Sequence, residues 1–333
     1  MDQSLALPLL IGLIALALAF DFLNGLHDAA NAIATVVATR LLSPVMAVVF
    51  AAFGNFAAYW IVGLHVAETV GKGIIDKDVV TPAVVFGALI GAMFWNIVTW
   101  LKGIPSSSSH ALIGGLLGAG IAHAGFGAVE SAGTTKTVVA IFLSPMIGFA
   151  LAMTLMLATS WSFKGAQPRS ANGIFKGLHL ISSAAYAISH GGNDAQKTMG
   201  IIAVLLYSTG YLGGEFHVPE WVVVSCYLAI ALGTLSGGWK IIKTMGNKLT
   251  KLNHHSGFCA SAAGSAVVFG ASAMGIPIST THAITGSVVG TGAARRASAV
   301  RWSVASRVIV AWFITIPASG IVGAGFYLLT RLF

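Results

Sequence analysis

The chain has 333 residues, of which 56% are hydrophobic and only 8% are charged, and its mean hydropathy is +0.86. Because soluble domains carry about a quarter charged residues, this composition excludes an ordinary soluble protein, a disordered chain and a nucleic-acid-binding domain. An integral membrane protein is therefore predicted, and its partner is the lipid bilayer. The formal net charge of +8 does not by itself indicate an acidic partner, because its meaning depends on where the basic residues lie.

In chain order, the predicted elements are membrane helices, each needing about 20 mostly apolar residues. Eight full or nearly full segments meet this requirement, at residues 5–23, 44–64, 80–101, 137–161, 177–189, 221–238, 256–275 and 304–328. Four shorter apolar stretches, at 32–39, 105–123, 198–206 and 277–292, each open at a polar cluster. Polar breaks at membrane depth must line a cavity or lie against protein, so an all-α polytopic fold with broken, re-entrant half-helices is predicted.

The basic residues predict the orientation of these segments. Lys and Arg concentrate in the loops 162–176, 239–255 and 293–303, whereas the loop 207–220 has two Glu and no Lys or Arg. Basic loops face the cytoplasm in membrane proteins, so these three loops are predicted inside and both chain termini outside. The charge excess therefore sets the topology and requires no acidic partner.

The sequence contains an internal repeat. The segment PSSSSHA at 105–111 resembles PISTTHA at 277–283, and three glycines after each segment match at the same offset of 172 residues. GLHDAAN at 25–31 likewise matches GGNDAQK at 191–197, at an offset of 166 residues. An odd number of predicted crossings separates the copies, so they should be inverted, as in many secondary transporters. The predicted division is a first repeat at 1–161, a cytoplasmic linker at 162–176 and a second repeat at 177–333.

The repeated carboxylates Asp28 and Asp194 are candidate coupling residues, because an unpaired charge beside membrane helices is costly. The spacing of four polar residues places them on one face of a continuous helix, where their oxygen atoms suit a hard cation such as sodium: Asp21, Asn24, Asp28 and Asn31. Capping of a half-helix or pairing with a basic side chain stays open as an alternative. It is strongest for Asp21, which has Ala187 at the matching place.

The hydroxyl clusters suit an oxyanion. Each supplies several hydroxyl donors and precedes a helix whose first N–H groups and dipole attract anions; the residues are Ser106, Ser107, Ser108 and Ser109 in the first copy and Ser279, Thr280 and Thr281 in the second. Hydroxyls of this kind also bond back to their own helix, which is the structural alternative. His110 and His282 follow the clusters and either donate to the anion or fix the loop. Glycines at i, i+4 favour close helix packing.

These four motifs, FLNGLHDAANAIAT, PSSSSHALIGGLLG, SHGGNDAQKTMG and PISTTHAITGSVVG, resemble the signature repeats of the inorganic phosphate transporter family. The resemblance covers essentially the whole chain. It implies a symporter of two inverted repeats, commonly a homodimer, in a prokaryotic inner membrane, importing inorganic phosphate with a coupling cation, either H+ or Na+, and with no further cofactor. By that similarity Asp28 with Asn31 and Asp194 with Asn193 form the cation site, and the two hydroxyl clusters form the phosphate shell.

The chain departs from the family pattern N-D-V-A-N at two places. His27 replaces the opening Asn of the first copy, and Lys197 replaces the closing Asn of the second. A protonated Lys197 beside Asp194 would occupy the place of a metal ion, and His27 and His190 would relay protons near neutral pH. This departure predicts that proton coupling replaces at least one sodium ion. A lysine that snorkels to the membrane interface is the structural alternative.

Rival functions are left open at this point. A sulfate permease of the same family would carry an anion that cannot donate a proton to a carboxylate. A passive anion channel would not accumulate its substrate, and phosphate bound as a metal complex is a further variant. An intramembrane Ser/His hydrolase is disfavoured because every candidate residue occurs twice, so no enzyme is predicted.

Overall fold

The structure is a computed structural model and describes residues 7–76 and 79–332. Twelve α-helices follow one another in this part of the chain: α1 Leu7–Ala38, α2 Pro44–Ile61, α3 His65–Gly73, α4 Pro82–Lys102, α5 Ser108–Ala124, α6 Ser131–Ser162, α7 Pro168–Ser208, α8 Glu220–Ser236, α9 Trp239–Asn247, α10 His254–Ala273, α11 Thr280–Arg295 and α12 Trp302–Leu329. The only β-type pairing among the described residues is an isolated bridge between Ile75 and Val129. The predicted positions of the two termini lie outside the described residues.

Six of the described helices are long and apolar enough to cross a membrane: α1, α2, α4, α6, α10 and α12. The all-helical membrane class is therefore confirmed. α5 and α11 are shorter, with 17 and 16 residues, which fits the half-helices predicted from the sequence. α6 and α12 are the spanning candidates with the smallest buried share, and they present mostly apolar side chains to the outside of the protein.

Local sequence signals set the helix ends. α4 begins after Thr81, whose hydroxyl accepts a bond from the Val84 N–H at 3.3 Å, and it ends at Gly103, whose φ of 63° is left-handed. α10 begins with a capping box, in which Asn253 and Ser256 exchange bonds between side chains and backbone N–H groups. These caps satisfy backbone groups that a helix end leaves unpaired.

Two of the four predicted helix breaks are absent. The stretches 32–39 and 198–206 were expected to begin new half-helices, but residues 32–38 continue α1 and residues 198–206 lie within α7. The prediction was wrong because the polar side chains before these stretches find partners on neighbouring helices. The backbone of these residues therefore keeps its intrahelical hydrogen bonds, and each helix continues through the polar cluster. The connection between α6 and α7 is also short, since α7 begins at Pro168 inside the predicted linker.

The two halves of the chain interlock. α1 packs against α8 and α2 against α7, while α5 packs against α12 and α11 against α6. Glycines permit the closest approaches: a Cβ on Gly118 would lie 2.1 Å from the Gly320 carbonyl oxygen, and one on Gly286 would lie 2.2 Å from that of Pro145. Small residues at helix contacts are typical of membrane proteins. This packing holds the N-terminal ends of α5 and α11 in the protein interior.

Candidate hydroxyl and carboxylate site between the two halves

The N-terminal ends of α5 and α11 have the same cap and lie together. The Ser107 hydroxyl accepts from the His110 N–H at 3.2 Å, and the Ser279 hydroxyl accepts from the His282 N–H at 3.1 Å. The imidazole rings of His110 and His282 meet edge to face, with centroids 4.3 Å apart. Both hydroxyl clusters are buried. Two positive helix ends therefore point into one enclosed region, which is the arrangement that binds anions.

α1 brings a carboxylate and an amide to this region. The Asn31 amide donates to the Thr281 hydroxyl at 2.8 Å. The Thr281 oxygen lies 3.4 Å from Asp28 Oδ1 and 3.2 Å from the Ser106 carbonyl oxygen, and its single proton serves one of the two. At the same oxygen of Asp28, His27 Nδ1 lies 2.8 Å from Oδ1, and the Thr99 hydroxyl lies 3.0 Å from His27 Nε2.

α7 brings the second carboxylate together with an ammonium group. Lys197 Nζ lies 2.5 Å from Asp194 Oδ1 and 2.5 Å from the Ser109 hydroxyl, and it donates to the Ile278 carbonyl at 2.8 Å. These contacts use all three of its donors. Asp194 Oδ2 accepts from the Thr280 hydroxyl at 3.0 Å, and His190 Nε2 lies 3.2 Å away. Lys197 is only 2% exposed, so its ammonium does not reach a protein surface.

The carboxylates also form a candidate cation site. One ligand atom each from Asp28, His190 and Asp194 lie within 4.8 Å of one another. Asn31 Oδ1 has no hydrogen-bond partner among the described residues and lies on the same helix as Asp28. Carboxylate and amide oxygens suit a hard cation, whereas Lys197 already occupies one oxygen of Asp194. With neutral histidines, two carboxylates face one ammonium, so these groups carry one net negative charge.

Several buried polar atoms at the helix ends lack partners among the described residues. They are the Ser108 hydroxyl and both ring nitrogens of His110 and of His282. Buried polar groups are normally hydrogen-bonded, so such a concentration next to two helix N-termini needs an explanation. A bound oxyanion, which offers several acceptor oxygens, would accept a hydrogen bond from the Ser108 hydroxyl and from the protonated nitrogen of His110. The His282 ring instead stacks on Trp312, with centroids 3.8 Å apart.

The structure places some predicted site residues away from this region. The Ser106 hydroxyl pairs with Thr315 at 2.9 Å and accepts from the Trp95 indole at 3.2 Å. The Asn193 amide donates to Ser272 on α10 at 2.9 Å. Asp21 and Asn24 precede Asp28 by two and one turns of α1, about 10 and 6 Å along the helix axis. Of the hydroxyls that line this region, those of Ser108 and Ser109 donate to no group among the described residues. Thr280 donates to Asp194, and the Thr281 proton serves Asp28 or the Ser106 carbonyl, so these two hydroxyls must turn to reach a ligand.

Tyr186, Asn55 and Thr234 support the site and were not assigned to it from the sequence. The Tyr186 hydroxyl donates to the Thr280 carbonyl at 2.9 Å and so fixes the start of α11. His190 Nδ1 contacts Asn55 Oδ1 at 3.1 Å, and the Asn55 amide donates to Thr234 at 2.8 Å. Tyr186 and His190 lie eight and four residues before Asp194, and this spacing places them on the face of Asp194. The sequence gives no such signal for Asn55 or Thr234.

Comparison with known proteins gives consistent matches. The profile described as "Phosphate transporter family" matches residues 24–323. A "Probable low-affinity inorganic phosphate transporter" of Rhizobium meliloti (strain 1021) is 60% identical over 324 residues, 97% of each chain. A relative with the same description from Bacillus subtilis (strain 168) is 42% identical over 100% of both chains. A solved structure described as "The sodium-dependent phosphate transporter" has a TM-score of 0.87 and 24% identity, covering 98% of this chain and 100% of that chain, and shows a shared fold. The relatives are transporters rather than enzymes.

Proposed function

This chain belongs to the phosphate transporter family, and we propose that it imports inorganic phosphate across a prokaryotic inner membrane by cation symport. The main support is the pair of capped helix ends, α5 and α11, which present the hydroxyls of Ser108, Ser109, Thr280 and Thr281 beside Asp28 and Asp194. Phosphate oxygens would accept from the Ser108 and Ser109 hydroxyls and from the first N–H groups of both helices. The Thr280 and Thr281 hydroxyls would join them by turning away from their present acceptors.

Charge explains why such a site needs a cation. The buried groups Asp28, Asp194 and Lys197 sum to one negative charge when the histidines are neutral. A divalent phosphate would add two more negative charges in a region without bulk water, which is costly. Binding of a cation with phosphate reduces this cost. In this proposal, binding of one ligand favours binding of the other, which is the basis of symport.

Lys197 bears on the identity of the coupling ion. Its ammonium sits 2.5 Å from Asp194 Oδ1, where a metal ion would otherwise balance the carboxylate. We therefore propose that a proton replaces at least one sodium ion. A remaining sodium ion would bind at Asp28, Asn31 and Asp194 Oδ2, the oxygen that Lys197 does not contact, and phosphate arriving as a metal complex would approach the same oxygens.

The repeat supports a mechanism of alternating access. α4 and α10 begin 172 residues apart in the sequence, as do α5 and α11. Pro145 in α6 and Pro317 in α12 are separated by the same number of residues. We propose that the halves are inverted in the membrane, with the basic loops in the cytoplasm. Rocking of the halves about the shared site would then expose it to each side in turn. A homodimer is part of the same proposal.

Uptake of radiolabelled phosphate into proteoliposomes tests this function. A pH gradient and a sodium gradient are imposed separately, and unlabelled sulfate is added as competitor. Accumulation above the external concentration, driven by one of the gradients and resistant to sulfate, is expected. Equilibration without accumulation would instead identify a passive anion channel, and strong inhibition by sulfate would identify a sulfate permease.

A further inference from the structure

A second polar cluster lies in the interior, about two helical turns along α1 from the phosphate site. Its centre is Asp21, which is fully buried and whose two carboxylate oxygens have no hydrogen-bond partner among the described residues. The Asn24 amide and the Thr198 hydroxyl lie beside this carboxylate, but neither forms a hydrogen bond of normal geometry with it. Asn24 Oδ1 and Thr198 Oγ1 also have no hydrogen-bond partner among the described residues. Residues of α1 and α7 thus form the cluster, and α8 borders it.

Asp21 differs from the other buried acids in its charge balance. Asp28 has the His27 ring at 2.8 Å, and Asp194 has the Lys197 ammonium at 2.5 Å, but Asp21 has no ion-pair partner and no histidine in hydrogen-bond contact among the described residues. The charged groups that face it from α7 are the Asp194 carboxylate and the Lys197 ammonium, which already form an ion pair with each other. From α8 the Cys226 thiol and the Tyr227 hydroxyl face it, and neither supplies a positive charge. An ionised Asp21 would therefore be an uncompensated buried charge, which membrane proteins rarely keep.

Protonation would satisfy the cluster. If Asp21 is ionised, the Asn24 amide nitrogen and the Thr198 hydroxyl can turn to donate to it, but Asn24 Oδ1 is an acceptor and gains no donor from the carboxylate. If Asp21 carries a proton, its O–H donates to Asn24 Oδ1, while the Thr198 hydroxyl donates to its other oxygen. One added proton thus provides partners for the three side chains and removes the charge.

We propose that Asp21 is a proton-binding site, distinct from the phosphate site, that carries the coupling proton during phosphate import. The inference rests on the proposed function and makes it more specific. The proton binds a carboxylate oxygen of Asp21 from external water and leaves to cytoplasmic water, and no electrons move. The matching position in the second repeat is Ala187, which cannot titrate, so the site occurs once in the duplicated fold.

Two transport assays on proteoliposomes test this site with the Asp21→Asn variant, which imitates the neutral carboxyl group. One assay is exchange of labelled for unlabelled phosphate at equal pH, which needs phosphate binding but no net proton movement. The other is accumulation driven by a pH gradient. The variant should retain exchange within about twofold of wild type and lose pH-driven accumulation. Glu130→Gln, the same chemical change at an exposed carboxylate, should leave both assays unchanged.

Infrared spectroscopy supplies a readout independent of transport. Wild-type protein should show the carbonyl band of a protonated carboxylic acid, shifted by deuterium, and Asp21→Asn should lack it. Thr198→Val, which removes the hydroxyl donor at similar volume, should shift this band without removing it. An unchanged band in Asp21→Asn, or its absence from wild type, overturns the inference.

The outcomes separate this inference from the proposed function. Wild-type protein that does not exchange phosphate at all would contradict the proposed function itself. Wild-type exchange combined with accumulation driven by sodium alone overturns the Asp21 inference and leaves phosphate transport intact. Normal pH-driven accumulation by Asp21→Asn overturns it as well, and so does loss of exchange in that variant, which would assign Asp21 to the phosphate site or to folding.

Discussion

The two copies of the repeated motif reach the same place with different charges. In the first half, the neutral Asn31 contacts the Thr281 hydroxyl of the second half at 2.8 Å. In the second half, the matching residue Lys197 contacts the Ser109 hydroxyl of the first half at 2.5 Å. Ser109 and Thr281 are themselves equivalent under the 172-residue offset. The backbone relationship is thus preserved while one side chain changes from an amide to an ammonium.

This difference separates the geometry of the site from its electrostatics. Asp28 is accompanied by His27 and by a neutral amide, so its carboxylate can accept a cation. Asp194 already has a cation 2.5 Å away that cannot leave, because it is part of the chain. The duplication thus places the two carboxylates at equivalent positions. A single substitution in one copy can nevertheless change which cation is needed to balance their charge. The following variants test that distinction.

The largest effect is expected from Asp28→Asn and Asp194→Asn, each of which should abolish concentrative phosphate uptake in proteoliposomes. Asp194→Asn should also lower thermal stability more than Asp28→Asn, because it leaves the Lys197 ammonium buried without its partner, a change that costs about 3–5 kcal/mol. Melting temperature in detergent measures this second effect, and Glu130→Gln serves as control. Wild-type accumulation by either aspartate variant would contradict the assignment.

Lys197→Asn makes the second copy resemble the first. Removing the ammonium leaves two carboxylates without a fixed cation, so uptake in a pH gradient should be lost or should become dependent on added sodium. Initial uptake rates with and without sodium measure the change, and Lys136→Asn at an exposed position is the matched control. Strict sodium dependence of the wild type, with no change in Lys197→Asn, would reject the role assigned to this lysine.

Single hydroxyl removals should have a moderate effect. Each of four variants removes one hydroxyl at the anion site: Ser108→Ala, Ser109→Ala, Thr280→Ala and Thr281→Ala. Loss of such a hydrogen bond costs about 1–3 kcal/mol of binding free energy, so phosphate should bind tenfold more weakly or worse. Phosphate affinity of the purified variants, from calorimetry, gives this number. Ser162→Ala at the exposed end of α6 is the control. Unchanged affinity at all four positions would show that these hydroxyls serve helix packing only.

The smallest effect on transport is expected from the glycines that bring the half-helices close to their neighbours. A Cβ at Gly286 would lie 2.2 Å from the Pro145 carbonyl oxygen, and one at Gly114 would lie 2.5 Å from that of Ile316. Overpacking of this kind costs about 1–3 kcal/mol, so both alanine variants should melt at lower temperature. Gly173→Ala, where a Cβ meets no atom within 4 Å, should not. Equal melting temperatures in all three would disprove a packing role.

Much of the fold could be predicted from composition and repetition. Apolar segments of membrane length predicted the helical membrane class, and the Pro-Ser and Pro-Ile-Ser-Thr clusters predicted two short helices, because hydroxyl caps are local signals. The predicted breaks at 32–39 and 198–206 failed for a physical reason. Whether a polar cluster breaks a helix depends on whether distant helices offer partners, as Thr281 does for Asn31 and Ser109 for Lys197.

The sequence by itself determined which residue types stand at matched places in the two repeats: the carboxylates Asp28 and Asp194, the hydroxyl clusters, and the departures from the family pattern at His27 and Lys197. Only the tertiary structure decided which of them act together. It joins Lys197 to Ser109 across 88 residues, directs Asn193 toward Ser272, and leaves Asp21 without a basic partner among the described residues. These outcomes depend on short-range contacts between helices far apart in the chain, and helical spacing determines only which face of a helix a residue occupies.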